Sequence, residues 1–327
     1  MANPADIVDI IQVPALIKDD FIKAGSVVLD EKGNPIHYTG GFAVVFPFVV
    51  NNVKWAFRCW YNNVGNIGKR LQTLSDELNR INLPYFCKFH YSDKGIALDG
   101  TIKPTTRMLW VDGDNIKDYI CKHSNSPQKL KELGERFMHM CKDLHKANIA
   151  HGDLQHGNII VDRRGQIFLI DYDSLYVPAL KGEKDIITGL AAYQHPSRIR
   201  GNNVYAHEKL DYFSELVIYL SIIAISESPT LVEKFNVRDG DNLIFTKEDF
   251  INIKSSNVYH HLRRLSEDVN KLLDILEAYL QCNSIEKLSP FETMFSNNQI
   301  ANYCINCGFE FENKDDIFCV RCGVKRS

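Results

Sequence analysis

The sequence predicts an α+β fold with two lobes, a β-rich N-lobe and a helical C-lobe, followed by a small cysteine-rich module. Short apolar runs separated by turn residues dominate positions 26–60 and predict strands. Leucine and isoleucine recur at helical spacing over 67–81 and through most of the second half, which predicts helices. The 327 residues suffice for one large domain and a small module. We expect an N-terminal extension over 1–25, an N-lobe over 26–110, a C-lobe over 111–298 and the module over 302–327.

The N-lobe reads as a series of short strands with one helix. Gly40-Gly41 and Asn51-Asn52 are turn signals beside β-rich apolar segments, and Pro84 ends the helix. The predicted elements are strands over 42–50 and 54–60, a helix over 67–81, a strand over 108–111 and a connection over 112–114.

The C-lobe is mainly helical and holds one pair of short strands. Its irregular stretch, 174–210, contains several glycines and prolines, and a loop of this length inside a compact domain is usually functional. The predicted elements are helices over 130–147, 211–226, 259–282 and 289–296 and strands over 159–161 and 167–170.

Composition and charge indicate an ordinary globular protein. Hydrophobic residues make up 45%, charged residues make up 24%, and the formal net charge is -3, so we expect no nucleic-acid partner. The longest apolar run, 216–225, is shorter than the roughly 20 residues of a membrane helix, so we expect no membrane insertion. Positions 1–12 carry acidic but no basic side chains, unlike a signal peptide. We therefore expect a cytoplasmic protein.

The strongest chemical signal lies at 151–158 and 167–171. His151, Asp153 and Asn158 follow the pattern H-x-D-x-x-x-x-N, and an apolar strand then leads to Asp171. A carboxylate such as Asp153 can accept the proton of an attacking hydroxyl. The side-chain oxygens of Asn158 and Asp171 are hard ligands of the kind that Mg²⁺ prefers. Phosphoryl transfer needs both kinds of group, a base for the attacking hydroxyl and hard ligands for the metal ion that neutralises phosphate charge.

This pattern resembles the catalytic loop and the metal-binding aspartate motif of protein kinases, and the resemblance covers about residues 30–298. It implies the two-lobed protein-kinase-like fold, ATP as phosphate donor and Mg²⁺ or Mn²⁺ as metal ion. In this resemblance Asp153 is the catalytic base, and Asn158 and Asp171 are the metal ligands. Segments 170–180 and 193–196 are similar to a branch of bacterial kinase-like proteins.

The resemblance also implies a nucleotide cradle in the N-lobe. Positions 38–45 resemble a degraded glycine-rich loop, with Gly40 and Gly41 at the phosphates and Val45 over the adenine, although a plain hairpin explains the same residues. Ala56 and Arg58 lie on the strand that normally carries a phosphate-pairing lysine. Arg58 replaces that lysine and keeps its positive charge.

Segment 108–114 resembles the linker between kinase lobes, and a simple interlobe strand is compatible with that role. The resemblance implies that the backbone of Leu109 and Val111 would bond adenine. The acidic partner of Arg58 is open at this point. Asp76 and Glu77 lie near the expected place on the helix over 67–81, and either one pairs with Arg58 or both are surface acids.

Four positions depart from the kinase pattern, namely Arg58, Gly152, Gln155 and Asp173. Gln155 stands where Ser/Thr kinases carry a lysine at the γ-phosphate, and Asp173 replaces a glycine. Gly152 replaces the arginine that reads a phosphorylated activation loop, so we expect no activation of that kind. Because the base and both metal ligands are kept, we favour a working enzyme that phosphorylates Ser/Thr of a protein partner.

Two alternatives remain. The replacements at Arg58 and Gln155 favour a pseudokinase-like scaffold that binds nucleotide without transferring phosphate. Segment 151–158 also resembles small-molecule kinases of the aminoglycoside and choline type. The linker at 108–114 and the helix that begins near Asp211 favour the protein-kinase interpretation over that one.

The C-terminal module contains two C-x-x-C pairs of nearly identical sequence. In a reducing cytoplasm such pairs indicate a metal site rather than disulfides. Four thiolates satisfy the tetrahedral coordination of Zn²⁺, and a segment this short needs the metal in order to fold. We expect a structural zinc ribbon that docks a partner or the kinase lobe, with the ligands Cys304, Cys307, Cys319 and Cys322.

Overall fold

A computed structural model describes residues 3–40, 43–61, 67–185, 189–201 and 205–297, together with position 321. The four cysteines predicted to bind zinc lie outside the described residues. The described chain forms two compact units, of which the first carries the sheets and the second is helical; this confirms the α+β, two-lobed fold class. The first unit comprises the described parts of 1–119, 146–187 and 203–208, and the second those of 120–145, 188–202 and 209–327.

The first unit is built on an antiparallel sheet. Its first elements are α1 (Pro4–Ile10), α2 (Asp20–Lys23), β1 (Ser26–Val27), β2 (Tyr38–Thr39), β3 (Ala43–Val50), β4 (Val53–Trp60), α3 (Ile67–Arg80), β5 (Phe89–Leu98) and β6 (Thr101–Leu109). The described strands form a six-stranded sheet in the order β1-β3-β4-β6-β5, with β2 paired to β3. The register sets Val45 opposite Arg58 and Ala56 opposite Met108. Candidate site residues on neighbouring strands therefore lie side by side.

The N-terminal segment belongs to the core of this unit. Ile7, Ile11 and Ile22 are almost fully buried in one cluster with apolar residues of β3 and β4. Asp19 caps α2 with its side chain and forms an ion pair with Arg107 of β6. The segment predicted to be an N-terminal extension thus packs with the N-lobe, because its isoleucines complete the apolar cluster.

Strand β5 is not predicted by the sequence pattern. Polar and apolar residues are mixed along it, and a register shift between Ser92 and Ile96 interrupts its pairing with β6. The regular two-residue alternation that marks a strand is therefore missing. Strand β6 likewise begins at Thr101, well before the predicted segment 108–111, and it ends at Leu109.

A second, three-stranded sheet begins its central strand directly after the catalytic motif at 151–158. The next elements along the chain are β7 (Gly113–Asn115), α4 (Ile116–His123), α5 (Pro127–Ala147), β8 (Ile159–Asp162) and β9 (Ile167–Leu169), and the strand order is β7-β8-β9. The Leu169 N–H donates to the Tyr85 carbonyl at 2.8 Å and ties β9 to the chain just before β5. This bond and the pairing of β8 with β7 join 146–187 to the first unit, although the sequence predicted it as part of the C-lobe.

The second unit is helical. Besides most of α5, its helices are α6 (Pro196–Arg200), α7 (Tyr212–Glu227), α8 (Leu231–Lys234), α9 (Asn257–Leu262), α10 (Glu267–Gln281) and α11 (Phe291–Asn297). Helix α7 is buried on nearly all sides, so its long apolar run is a core helix. Within the described ranges, no helix combines the length and the apolar character required to cross a bilayer.

The single predicted helix over 259–282 is wrong, since the structure divides it into α9 and α10. Ser266 is the N-cap of α10, and its hydroxyl accepts from the Val269 N–H at 3.3 Å. The Ser266 N–H and hydroxyl both donate to Glu227, at 3.2 and 2.6 Å. Val258, Leu262 and Val269 keep helical spacing across the break, which is why periodicity alone suggests one helix.

Candidate active site

A cavity of about 680 Å³ lies in the first unit and collects most of the residues predicted to bind nucleotide. Its walls come from the β2–β3 hairpin, the neighbouring strands β4 and β6, the chain after β6, and the segment from Asn158 to Asp173. The predicted residues that line it are Gly40, Val45, Ala56, Arg58, Leu109, Val111, Asn158 and Asp171. Gly41 lies outside the described residues, and Asp153 is not part of the lining.

The segment that resembles a glycine-rich loop connects β2 to β3. Tyr38 is opposite Val45, and the Gly40 N–H donates to the Ala43 carbonyl at 2.9 Å. The hydroxyl of Tyr61, the residue after β4, donates to the Gly40 carbonyl at 2.7 Å and fixes this end of the hairpin. The hairpin and the cavity wall are therefore the same structure, so the two sequence interpretations are compatible.

The chain after β6 forms a wall with an aromatic group that the sequence pattern did not single out. The Trp110 N–H donates to the Lys54 carbonyl at 3.0 Å, and the Lys54 ammonium lies 4.1 Å from the centre of the Trp110 ring. The ring of Tyr38 lies 5.9 Å from the same indole. The cation–π contact holds Lys54 and Trp110 together at the cavity wall, which Tyr38 also lines. A tryptophan between the predicted linker residues Leu109 and Val111 was the available signal.

The catalytic-loop motif is held by bonds within the first unit. His151 is fully buried, and its Nε2 lies 2.8 Å from the Ile170 carbonyl, so that nitrogen carries the proton. The Asn158 amide donates to the Asp153 carbonyl at 2.8 Å and to the Asp153 carboxylate at 3.2 Å. The Ile170 N–H donates to the Asn158 carbonyl at 3.0 Å. The structure thus brings Asp153, Asn158 and the residue before Asp171 into one bonded group.

Gln155 has a local structural role. It is the N-cap of the short turn 156–158, and its side-chain oxygen accepts from the Gly157 N–H at 2.6 Å. This bond holds the amide against its own loop. Gln155 therefore gives the loop rigidity at the place where the kinase pattern has a cation.

Arg58 forks onto two carboxylates of the segment after β9. Its Nη1 lies 2.9 Å from Asp171 Oδ1 and 2.9 Å from Asp173 Oδ1, and its Nη2 lies 2.7 Å from Asp173 Oδ2. The Asp171 side chain is 46% exposed, whereas that of Asp173 is 11% exposed. Asp171 also has a left-handed backbone with φ of 65°, a strained conformation that is frequent at functional sites.

The pKa shifts follow from this arrangement. Burial disfavours the charged guanidinium of Arg58, but the carboxylates of Asp173 and Asp171 outweigh it and raise the pKa of Arg58. Burial raises the pKa of Asp173, and the nearby Asp171 charge adds to that rise while Arg58 opposes it. Arg58, Asp171 and Asp173 therefore form a compact group of one cation and two acids within the site.

Of the two alternatives left open for Asp76 and Glu77, pairing with Arg58 is wrong, because both acids have other partners. Asp76 accepts from Gln72, and Glu77 forms an exposed pair with Arg80 at 2.9 Å. Asp76 is exposed and Glu77 is half-buried, whereas Leu71, Leu74 and Leu78 are among the residues that the helix buries. The partners of Arg58 instead follow β9, more than a hundred residues along the chain, and local sequence could not show that pairing.

Helix α3 contributes an arginine to the same region. Arg70 is 5% exposed and donates to the carbonyls of Asp173 at 3.1 Å and Leu175 at 2.8 Å. Its Nη1 pairs with Glu183 at 2.9 Å. The sequence pattern missed Arg70, because a basic residue on an amphipathic helix is usually exposed. The only sign in the sequence that Arg70 is buried was its place on the helix, next to the buried Leu71.

Tyr172 anchors the segment between the two acids. Its hydroxyl donates to the Leu169 carbonyl and accepts from the Cys87 N–H, both at 2.8 Å. Its ring packs edge-on against Phe86 and Phe89, at centroid distances of 5.7 and 5.3 Å. A buried tyrosine with both hydroxyl bonds satisfied holds the flanking acids in place.

Gly152 has a steric reason to be glycine. Its φ is +79°, and a Cβ at this position would lie 2.3 Å from the Ser174 carbonyl oxygen. Any larger residue at 152 would require the catalytic loop to move away from the segment around Ser174. The absence of arginine at 152 therefore follows from the packing of the loop against 174.

The donor set fits a magnesium ion that shares its coordination with a nucleotide. Asn158 and Asp171 both line the cavity and offer oxygen ligands. Mg²⁺ typically takes one or two protein ligands and completes its shell with water and phosphate oxygens. Among the described residues there is no group of three or more His, Cys, Asp or Glu side chains that could hold a metal alone. The predicted zinc ligands lie outside the part of the chain that this search covers.

Comparison with known proteins agrees with this geometry. The sequence profile described as "Protein kinase domain" matches residues 103–297. A viral relative, Serine/threonine-protein kinase 1 of Heliothis zea nuclear polyhedrosis virus, is 24% identical over 219 residues, which are 66% of this chain and 74% of that protein.

Two cellular proteins show shorter matches. A probable serine/threonine-protein kinase of Dictyostelium discoideum is 31% identical over 95 residues, which are 29% of this chain and 15% of that protein. A probable serine/threonine-protein kinase of Streptomyces coelicolor is 24% identical over 153 residues, which are 43% of this chain and 22% of that protein. The chain thus spans about three quarters of the viral relative but less than a quarter of these two.

Proposed function

Because the chain belongs to the protein kinase family, we propose that it is an ATP- and magnesium-dependent phosphotransferase that acts on serine or threonine hydroxyls of a protein partner. The observation that carries the proposal is the shared cavity, in which Arg58, Asn158 and Asp171 face the same space. The three relatives are named as serine/threonine-protein kinases or probable ones, and this supports the choice of acceptor.

The acceptor hydroxyl requires a base, and Asp153 takes this role in the proposal. The Asn158 amide donates to the Asp153 carboxylate at 3.2 Å and to its carbonyl at 2.8 Å, so the carboxylate has a fixed orientation. A positioned carboxylate that accepts a proton in the transition state contributes about 10²- to 10⁴-fold to a rate. Orientation by Asn158 also links the base to the metal side of the site.

Asn158 and Asp171 would hold Mg²⁺, which neutralises phosphate charge when bound. Arg58 adds a positive charge at the same wall of the cavity. The strained backbone of Asp171 and the buried Tyr172 beside it direct the acid towards the cavity. These residues act together as the phosphate end of the site.

The adenine end is the chain after β6. The backbone of Leu109 and Val111 would bond the base, and the side chains of Val45 and Ala56 supply apolar surface against its faces. Gly40 permits close approach of the hairpin to the phosphates. Gly41 belongs to the same proposed loop and lies outside the described residues.

A second candidate function is a nucleotide-binding scaffold without transfer. The bond between Gln155 and the Gly157 N–H favours it, because no cation takes the position that contacts the γ-phosphate in the kinase pattern. In this alternative the zinc ribbon, with Cys304, Cys307, Cys319 and Cys322 as ligands, docks a partner. Metal analysis of the purified protein tests the ribbon, and about one zinc per chain is expected from four thiolates.

Phosphate transfer distinguishes these functions. The protein is incubated with γ-labelled ATP, Mg²⁺ or Mn²⁺ and mixed peptides that carry serine, threonine or tyrosine. We expect acid-stable label on serine and threonine, and we expect Asp171→Asn to remove it. ATP binding without label on any acceptor would favour the scaffold, and label on an added metabolite alone would favour a small-molecule kinase.

A further inference from the structure

Arg58 on β4 contacts two acids, Asp171 and Asp173, and the geometry of the two contacts differs. Asp173 receives both guanidinium nitrogens, Nη1 at 2.9 Å and Nη2 at 2.7 Å, in a two-pronged pair. Asp171 receives Nη1 alone, at 2.9 Å, and stays much more exposed in the cavity. A two-pronged arginine–carboxylate pair fixes both the position and the plane of the guanidinium.

We propose that Asp173 is the positioning residue of Arg58, which it holds in the nucleotide cavity so that Asp171 is available to the metal ion. The proposal rests on the proposed function of this cavity. In it, Asp173 supplies the carboxylate partner that α3 does not supply, since both candidate acids of that helix have other partners.

Asp173 is itself fixed from the other side by α3. Its carbonyl accepts from Arg70 Nε at 3.1 Å, and Arg70 reaches Leu175 and Glu183 with its remaining nitrogens. The order of contacts is therefore Arg58, Asp173, Arg70 and Glu183. Helix α3 acts on the cavity through the backbone of Asp173, with an arginine as the donor.

The residue types at 58 and 173 fit each other chemically. A lysine offers one point charge, whereas arginine has a planar fork that can hold one carboxylate with two bonds. With an arginine at 58, an acid at 173 can take two bonds while the single contact to Asp171 is exchanged for metal. This arrangement explains why the third residue of Asp171-Tyr172-Asp173 is an acid in this chain.

The test is a double-mutant cycle read out by nucleotide affinity. Displacement of a fluorescent ATP analogue gives the ATP dissociation constant, and peptide phosphorylation gives kcat and the KM values of ATP and peptide. The variants are Asp173→Asn, Arg58→Gln and the double variant. Asp76→Asn is the matched control, because it makes the same chemical change on the exposed face of α3.

We expect Asp173→Asn to weaken ATP binding and to raise the KM for ATP, each by about tenfold, the effect of one lost charge-assisted bond. The KM for peptide should stay within about twofold. In the Arg58→Gln background Asp173→Asn should add no further loss, because the group that it positions is already gone. Asp76→Asn should match the unmodified protein.

Asp173→Glu keeps the charge but moves it by one methylene, and it supports the same cycle if Asp173→Asn does not fold. Its expected loss of ATP affinity is about threefold and should also vanish without Arg58. An unchanged ATP affinity in the Asp173 variants, or a loss that persists fully in the Arg58→Gln background, would overturn the positioning role. Failure of the unmodified protein to bind ATP would instead overturn the proposed function, and this proposal with it.

Discussion

Replacing Gly152 with alanine tests why the catalytic loop departs from the kinase pattern at this position. A Cβ at 152 would lie 2.3 Å from the Ser174 carbonyl oxygen and 3.0 Å from the Ser174 carbonyl carbon. The adjacent chains are joined by two backbone bonds between Ala150 and Tyr176, at 3.1 and 2.7 Å. The added methyl group can therefore be accommodated only by separating paired segments.

The expected cost has two parts. The left-handed backbone at φ +79° costs an alanine about 1–2 kcal/mol relative to glycine. The enforced separation from Ser174 adds about 1–3 kcal/mol, the usual range for overpacking. Gly152→Ala should thus lower the free energy of unfolding by about 2–5 kcal/mol.

Gly100 provides the matched control. Its φ is +70°, and a Cβ there would meet nothing within 4 Å. Gly100→Ala should therefore show only the backbone part, about 1–2 kcal/mol. Urea unfolding of both variants, followed by fluorescence, measures the difference. Equal losses at the two positions would refute the steric explanation, as would an arginine at 152 that leaves stability unchanged.

The remaining predictions concern three other contacts. His145 lies 2.7 Å from both Glu215 and a second buried acid, and these carboxylates outweigh burial and raise its pKa to about 10. The stabilisation from the charged His145 should be complete below about pH 6.5 and be lost as the pH rises towards 10. Glu215→Gln should lower the free energy of unfolding by about 3–5 kcal/mol at neutral pH, as measured by urea unfolding. Tyr172→Phe should cost about 1–3 kcal/mol in the same assay, because two hydroxyl bonds are removed. Asp76→Asn and Glu77→Gln should each leave the phosphate-transfer rate within about twofold, since these side chains make local contacts on α3. A tenfold loss of rate in either variant would show that the acid takes part in the active site.

The sequence identified the parts of this site that are continuous along the chain. His151, Asp153 and Asn158 occupy one short loop, and the apolar strand before Asp171 gives a clear local pattern, so their order was visible without a structure. The cavity lining includes eight residues that the sequence predicted to bind the nucleotide. Hairpins and amphipathic helices were also predictable, because their signals are local.

The pairing of Arg58 was not predictable in this way. Its two partners are 113 and 115 residues distant along the chain, and their orientation depends on the left-handed backbone of Asp171. The role of Gly152 likewise depends on a contact with Ser174 that only the fold creates. Strand β5 was missed because its register shift removes the alternation that reveals other strands.

The most direct test of phosphate transfer compares the unmodified protein with Asp153→Asn at saturating ATP and Mg²⁺. The substitution keeps the size of the side chain and removes its negative charge, and with it the ability to accept a proton. We expect the transfer rate to serine or threonine to fall by about 10²-fold or more, while the ATP dissociation constant stays within about threefold. A transfer rate unchanged by Asp153→Asn, or no transfer from the unmodified protein, would contradict the proposed phosphotransferase.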